Sequence, residues 1–430
     1  MAGFGELLVR NRNYRYTWMG QVVSEVGDHF NNIAVLSLAV EETHNGAAVA
    51  GLMLSRAIPA VLAGPLAGVM LDRFDRRRIM IASDLIRGFV ALGFIYAIGH
   101  KQIWLLYVLS AMLMLASPFF TSGRSAILPA IATEEELHTA NSLTQTTGWL
   151  TLSVGAYFGG TTVARFGYEL AFLFNSISFF VSAFCIFNLR PERGHFRAQD
   201  RGLNETKIAR PWHEYREGLS YMAKSPLILG IGLISVGWAS GGGAAQVLFT
   251  LFSELVFKRG PQGLGQLWGM AGAGLLVGGF IGNWLGKRIG FEAYKNTVFF
   301  CYLLHGGAYM VFSQMQNWGW ALFFMAVSRG AVAVSSLLNW SNLLKHVDDR
   351  YRGRVFSTIE TLNWSTMMIS MLAAGIASQH YGIRLIGAMS GLLSSSTAIF
   401  WGWANWTGKL PEPAVSEDDA AIEIHGDPTG

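Results

Sequence analysis

The stretch Gly64-Pro-Leu-Ala-Gly68-Val-Met-Leu-Asp72-Arg73-Phe-Asp75-Arg76-Arg77-Arg78 decides how this chain folds. An apolar run closed by small residues turns, within a few positions, into two carboxylates and four arginines. A hydrophobic helix leaving a bilayer through a tight basic turn has this composition. Gly64 and Gly68 are four apart and share one helix face, where a neighbouring helix can approach closely. Asp72 marks the helix end. Arg73, Arg76, Arg77 and Arg78 form a basic cluster of the kind retained on the cytoplasmic side.

The composition generalises that local reading. The 430 residues are 51% hydrophobic and only 14% charged, where soluble domains carry roughly 25% charged residues. Repeated apolar stretches of about 20 residues identify an all-α integral membrane protein. The net charge of +4 is small and the arginines are dispersed among turns, so no nucleic-acid partner is expected. Cys185 and Cys301 both fall in apolar segments and read as packing residues, without a disulfide or metal site. The first apolar run is long and studded with polar residues, which reads as a first span rather than a signal peptide.

Twelve spans can be placed: about Tyr16–Val40, Ala47–Leu71, Ile79–Ile98, Ile103–Ser122, Ala140–Val163, Leu170–Leu189, Pro226–Phe257, Gly265–Leu285, Tyr294–Phe312, Trp318–Leu344, Val355–Gln379 and Tyr381–Trp406. The stretch Gly123–His138 reads as a polar, partly helical connector. The resulting organisation is an N-terminal six-helix half (1–190), a cytoplasmic linker with a short interfacial helix (191–224), a C-terminal six-helix half (225–408) and an acidic disordered tail (409–430). The N-terminus, the turns after even-numbered spans, the linker and the tail hold most of the 32 lysines and arginines. The opposite side holds only Lys101, Arg165, Lys258, Arg259 and, at the start of the last span, Arg384. This asymmetry places both termini in the cytoplasm and supports an even number of spans.

The halves also repeat one another. Leu62–Gly68 aligns with Leu276–Gly282, and Gln145, Trp149, Gly160 and Gly167 fall opposite Glu360, Trp364, Gly375 and Gly382. Two halves in the same orientation form a parallel repeat, with substrate expected near the midplane at their interface.

The pattern Gly68-x-x-x-Asp72-Arg73-x-x-Arg76-Arg77 between spans 2 and 3 resembles the signature loop of the major facilitator superfamily. Ser24-Glu-Val-Gly27-Asp28, Ser83-Asp84-Leu-Ile-Arg87, Leu128-Pro129, Glu136-Leu-His-Thr-Ala140-Asn141-Ser142-Leu143 and Arg352-Gly353-Arg354-Val355 are similar to the subgroup of macrolide-efflux proteins and the enterobactin exporter. The resemblance implies the major facilitator fold, with two six-helix halves. It departs at two points. Asp75 stands where the superfamily's turn usually has glycine, and span 5 lacks the proline that many drug/proton antiporters place there.

Span 1 carries Gln21, Glu25, Asp28 and Asn32 on one helical face. Asp28 lies about 18 Å along the axis from the cytoplasmic start, where ionisable groups face a cavity or a partner. Arg56 lies at similar depth in span 2 and is expected to pair with Asp28 or Glu25. A carboxylate whose arginine moves can load and release a proton; a static pair locking spans 1 and 2 is the alternative. Asp84 and Arg87 read as a helix-surface pair or a contact to the basic turn. Glu360, with Asn363 on its face in span 11, is a second proton candidate, and Arg329 in span 10 either neutralises Glu360 or contacts substrate. His305 reads as a packing residue that could titrate, and Glu254 as solvated. Trp238, Gln246 and the Gly241–Gly243 triplet suggest a cavity wall or simple close packing.

These features describe a secondary active transporter. Efflux of an amphipathic small molecule (drug, macrolide or siderophore-like, multidrug-type) is what the resemblance implies. The parallel repeat suggests alternating access and the buried carboxylates suggest proton antiport, against which the missing span-5 proline counts. Lysophospholipid transport remains the alternative, with a non-transporting sensor or a membrane enzyme further off; no catalytic constellation and no nucleotide-binding loop is found. A monomer in the plasma (inner) membrane, without cofactor, is expected. The resemblance further implies that span 2 packs on span 11. Gly64, Gly68, Asp72, Arg73, Arg76 and Arg77 would then form a cytoplasmic latch, with Asp72 facing the positive helix end. In the repeat, Gly286 and Lys287 replace Asp72 and Arg73, leaving a degenerate partner.

Overall fold

The computed structural model describes residues 4–100, 102–190, 196 and 211–413. Among them the chain is helical without strands: α1 (Phe4–Arg10), α2 (Arg12–Thr43), α3 (Gly46–Arg73), α4 (Arg76–Gly99), α5 (Ile103–Ile131), α6 (Glu134–Phe166), α7 (Tyr168–Phe187), α8 (Pro211–Lys224), α9 (Pro226–Leu251), α10 (Gly260–Gly286), α11 (Phe291–Gln314), α12 (Trp318–His346), α13 (Asp349–Ala377) and α14 (Ile383–Trp406). A π-helical turn, Phe252–Val256, prolongs α9. Apart from α1 and α8, every helix has at least 20 residues, or about 30 Å of length, enough to cross a bilayer.

Eight of the long helices are apolar enough to span by composition alone. The four that are not, α2, α6, α11 and α13, are the polar-striped ones, and α2 and α13 carry the candidate carboxylates Glu25, Asp28 and Glu360. Short polar side chains set where the apolar runs start. Asn11, Asn45 and Asn317 accept backbone N–H groups of α2, α3 and α12, and Thr133 with Glu136 closes a capping box on α6. Asp75, the departure from the expected glycine, is the N-cap of α4, accepting from the amides of Arg77 and Arg78. The connector expected after residue 122 is instead the last part of α5, which runs through Pro118 and Pro129. Proline is tolerated within membrane helices.

The described chain gathers into two compact units. The first comprises Met1–Gly202, Gln246–Ala273 and Met371–Ile383. In it α2 packs against α6 and α7, α3 against α5, and α4 against α5 and α7. Leu7, Tyr14, Met80, Phe120 and Ile127 form a core near the basic turn, joined by Phe196 of the linker. The Phe196 carbonyl accepts from Arg76 N and its amide donates to Asp75 Oδ2 at 3.4 Å. At the end of this unit away from the basic turn, α10 lies on α6. Ser153 Oγ donates to the Gly269 carbonyl at 2.8 Å. A Cβ on Gly160 would collide with the Pro261 carbonyl oxygen and stand 2.8 Å from Gly265 Cα. Gln379 likewise reaches Asn45 Oδ1 at the start of α3, at 3.1 Å.

The second unit comprises Leu203–Ala245, Gly274–Ser370 and Arg384–Gly430. Its core holds Ile228, Ile231, Tyr294, Tyr302 and Trp401. The linker helix α8 packs on the start of α13, with Tyr221 stacked on Tyr351 and Glu217 2.8 Å from Arg354. The helix runs unbroken through Gly241–Gly243. Added methyl groups at Gly241 and Gly243 would strike Ser394 and Ser370, so the triplet serves close packing. Lys409–Pro413 depart from the expected disordered tail. Leu410 is buried, its carbonyl accepts from Lys295 Nζ at 3.0 Å, and Glu412 pairs with Lys345 at 3.3 Å. Residues 414–430 of that expected tail, and linker residues 191–195 and 197–210, lie outside the described residues.

Candidate functional site

The polar face of α2 faces three other helices of the first unit. Gly27 makes this possible on the α7 side, because a side chain there would overlap Ser178 and crowd Asn175. The close approach of α2 and α7 leaves Glu25 and Asp28 beside α4 and α5.

Three guanidinium groups meet three carboxylates in this region. Arg124 of α5 pairs with Glu25 Oε1 at 3.0 Å, and Thr151 of α6 donates to Glu25 Oε2 at 2.8 Å. Arg87 of α4 binds Asp84 Oδ1 through Nη2, and its Nη1 lies 3.8 Å from Asp28 Oδ2. The Arg87 guanidinium sits over the rings of Phe120, at 4.9 Å, and Phe179, at 4.3 Å. Among the described residues, Arg56 of α3 donates only to the neutral Asn31 Oδ1, at 3.4 Å. The side chains of Asp84 and Arg87 are 0% and 1% exposed, whereas that of Asp28 keeps 27%. Asp28 is thus partly accessible, as is Glu25 at 25%, beside the fully buried Asp84–Arg87 pair.

The geometry revises the expected pairings. Arg56 does not reach Asp28 or Glu25; Arg87 and Arg124 take those places. Asp84–Arg87 is a buried pair rather than a surface one. Depth along a helix locates a charge but not its azimuth, so several arginines at one depth cannot be ranked as partners from sequence. Arg124 falls in the stretch that reads from sequence as a connector, whereas α5 continues as helix through it to Ile131. Gln21 is buried and donates to the Thr144 carbonyl at 3.2 Å, and Asn32 is half-buried one turn beyond Asp28.

The candidates of the second unit are arranged differently. His305 is held at both ring nitrogens, Nδ1 by Ser328 Oγ and Nε2 by Ser394 Oγ, each at 2.8 Å. Arg329 is buried and lies in electrostatic range of His305 and Tyr309. Glu360 is exposed and accepts the Trp364 indole N–H at 2.9 Å. It forms no ion pair with the described residues, so the expected neutralisation by Arg329 is not formed. Trp238 and Asn363 are half-buried, each with a polar atom shielded from solvent. In the first unit Gln246 is half-buried, and Glu254, expected to be solvated, is half-buried on the π turn.

The expected latch residues are uncovered. A Cβ at Gly64 or Gly68 would meet open space, and Leu62, Leu66 and Val69 beside them are exposed. Asp72 and Arg73 are exposed, and Asp72 forms no ion pair or hydrogen bond with the described residues. Arg76 and Arg77 instead fasten the turn within its own unit, donating to the carbonyls of Ala126 (2.7 Å) and Phe187. Within the first unit, the face carrying Gly64 and Gly68 makes no close helix contact with the described residues.

The family model of the Major Facilitator Superfamily matches residues 17–371. The chain belongs to this superfamily. It is a multi-pass membrane transporter and not an enzyme. Among its relatives, the MFS-type transporter YfiS of Bacillus subtilis (strain 168) is 28% identical, over 90% of this chain and 92% of that protein. A putative bacilysin exporter, BacE, of the same organism is 25% identical, over 85% and 89%. Macrolide efflux protein A of Streptococcus pyogenes is 20% identical, over 91% and 96%. A solved structure of a bacterial homologue of the iron transporter ferroportin, in an inward-facing state, superposes with a TM-score of 0.67 at 17% identity, covering 91% of this chain and 98% of that one. That likeness confirms the fold.

Proposed function

We propose that this superfamily member exports an amphipathic small molecule in exchange for protons, with Asp28 as the loading group. The observation that carries this reading is the partly exposed Asp28 carboxylate, 3.8 Å from a guanidinium whose stronger partner is Asp84. Arg87 keeps Asp84 whether or not Asp28 is charged. Asp28 can then take up a proton when its long contact with Arg87 loosens and release it when the contact tightens. A protonated Asp28 loses its hold on a cationic or donor group of the substrate, which couples proton entry to substrate exit. Glu25, anchored by Arg124 and Thr151, fixes the neighbouring charge and keeps the α2 face in place. Glu360, exposed on α13, is the corresponding candidate of the second half.

The direction of transport rests on the relatives named as exporters of bacilysin and macrolides, and on the distribution of basic residues, which puts both termini in the cytoplasm of a plasma-membrane protein. Rocking of two six-helix halves is the mode of alternating access that suits a parallel repeat. The test is accumulation of a panel of lipophilic compounds in everted membrane vesicles. Accumulation driven by an imposed pH gradient and collapsed by a protonophore supports antiport. Accumulation that ignores the gradient refutes it.

A further inference from the structure

The bonding of the charge set leaves one acid and one base underserved. Both Glu25 oxygens are engaged, by Arg124 and Thr151. Asp84 is bound by Arg87 through Oδ1 and, although its Oδ2 has no hydrogen-bond partner among the described residues, its side chain is fully buried, out of reach of a ligand. Asp28 has only the 3.8 Å approach of Arg87, and its Oδ1 is shielded from solvent without a hydrogen-bond partner. Arg56 has five N–H donors and uses one, at 3.4 Å, on a neutral amide; no carboxylate among the described residues comes within ion-pair distance of it. The half-buried Arg56 guanidinium keeps donors free for an anion, and its planar fork suits a carboxylate held bidentately.

The two underserved groups are neighbours without touching. Asp28 and Asn31 are three apart on α2 and share a face, and Arg56 is fastened to Asn31. Arg56 lies in electrostatic range of Asp28, yet the two form no ion pair. The formal charges of Glu25, Asp28, Asp84, Arg56, Arg87 and Arg124 cancel. A cationic ligand would satisfy Asp28 and leave Arg56 unmatched; an anionic ligand would do the reverse. A ligand bearing both charges a few bonds apart matches both groups and enters without adding net charge.

We infer that the site recognises a zwitterionic head group, its ammonium received by Asp28 and its carboxylate by Arg56, on an otherwise apolar molecule. The inference rests on the exporter reading for its physiological meaning. It also sharpens the coupling: a proton competes with the ammonium at Asp28, while Arg56 retains the carboxylate until the head group is released.

Three probes with one apolar body test this: the dipeptide phenylalanyl-leucine, its methyl ester, and its N-acetyl derivative. Binding to the purified full-length protein is measured by calorimetry at neutral pH. The dipeptide is expected to bind about tenfold or more tightly than either derivative, the size of a lost hydrogen-bonded charge contact. Arg56→Gln should abolish the advantage over the ester and keep that over the N-acetyl form. Asp28→Asn should do the opposite, and Arg56→Lys should restore part of what Arg56→Gln loses in a protein of unchanged melting temperature. Equal binding of dipeptide and ester to the unaltered protein, or no binding of any probe, overturns the inference. The same probes in everted vesicles separate the two proposals. Gradient-driven uptake of the ester without preference for the dipeptide overturns head-group selection and leaves export standing. Preferential binding of the dipeptide without gradient-driven uptake of any probe overturns export and supports the site's chemistry.

Discussion

Arg87→Met is the most informative single change to the charge set. Methionine keeps an unbranched apolar stem against Phe120 and Phe179, so most of the packing survives while the guanidinium is lost. Two carboxylates then lose a partner: Asp84, fully buried, and Asp28, 3.8 Å away. At that separation and an effective dielectric constant near 20, the Asp28 contact alone is worth about 4 kcal/mol before the cost of desolvation. Stranding a buried carboxylate typically costs 3–5 kcal/mol. Arg87→Met should therefore destabilise the protein by about 3–5 kcal/mol, read from denaturant unfolding in detergent micelles. Adding Asp84→Asn to the same chain removes the stranded charge and should recover at least about 2 kcal/mol, because a buried pair replaced as a whole is far less harmful than a pair broken in half. A single Arg87→Met variant within about 1 kcal/mol of the parent, or a double variant no more stable than the single one, would refute the reasoning.

Other perturbations probe separate parts of the structure. Gly160→Val forces a side chain into the Pro261 carbonyl and Gly265 backbone. It should cost about 1–3 kcal/mol in any conformation that keeps α6 against α10, seen as faster labelling of a cysteine placed at Ser153 in a background lacking Cys185 and Cys301. Asp75→Ala removes the cap that serves Arg77, Arg78 and Phe196 and should cost about 1 kcal/mol, with Asp75→Asn nearly neutral in the same thermal melts. Leu410→Ala empties a buried position under Lys295 and should cost about 2 kcal/mol, with faster amide exchange at the start of α11.

The helices were the legible part of this molecule. A run of about 20 apolar residues has one outcome in a bilayer, and the expected span Ala47–Leu71 differs from α3 by one or two residues at each end. The stretch after residue 122 misled because proline and charge resemble a break, whereas α5 continues to Ile131 and carries Arg124 to Glu25. The polar stripe of α2 was readable because a 3.6-residue period fixes which side chains share a face. Its partners were not, since they depend on how α4 and α5 are rotated, a tertiary property that no local period encodes. The Gly64 face shows the same limit: small residues announce that close approach is possible, without naming the helix that makes it.

The central claim is that Asp28 carries the proton for which substrate is exchanged. Its most direct test is pH-gradient-driven transport by purified protein in liposomes, comparing the parent with Asp28→Asn at equal incorporation. Asp28→Asn is expected to exchange substrate down its own gradient but no longer to accumulate it when the pH gradient is imposed. Gradient-driven accumulation by Asp28→Asn at the parent's rate would contradict the account.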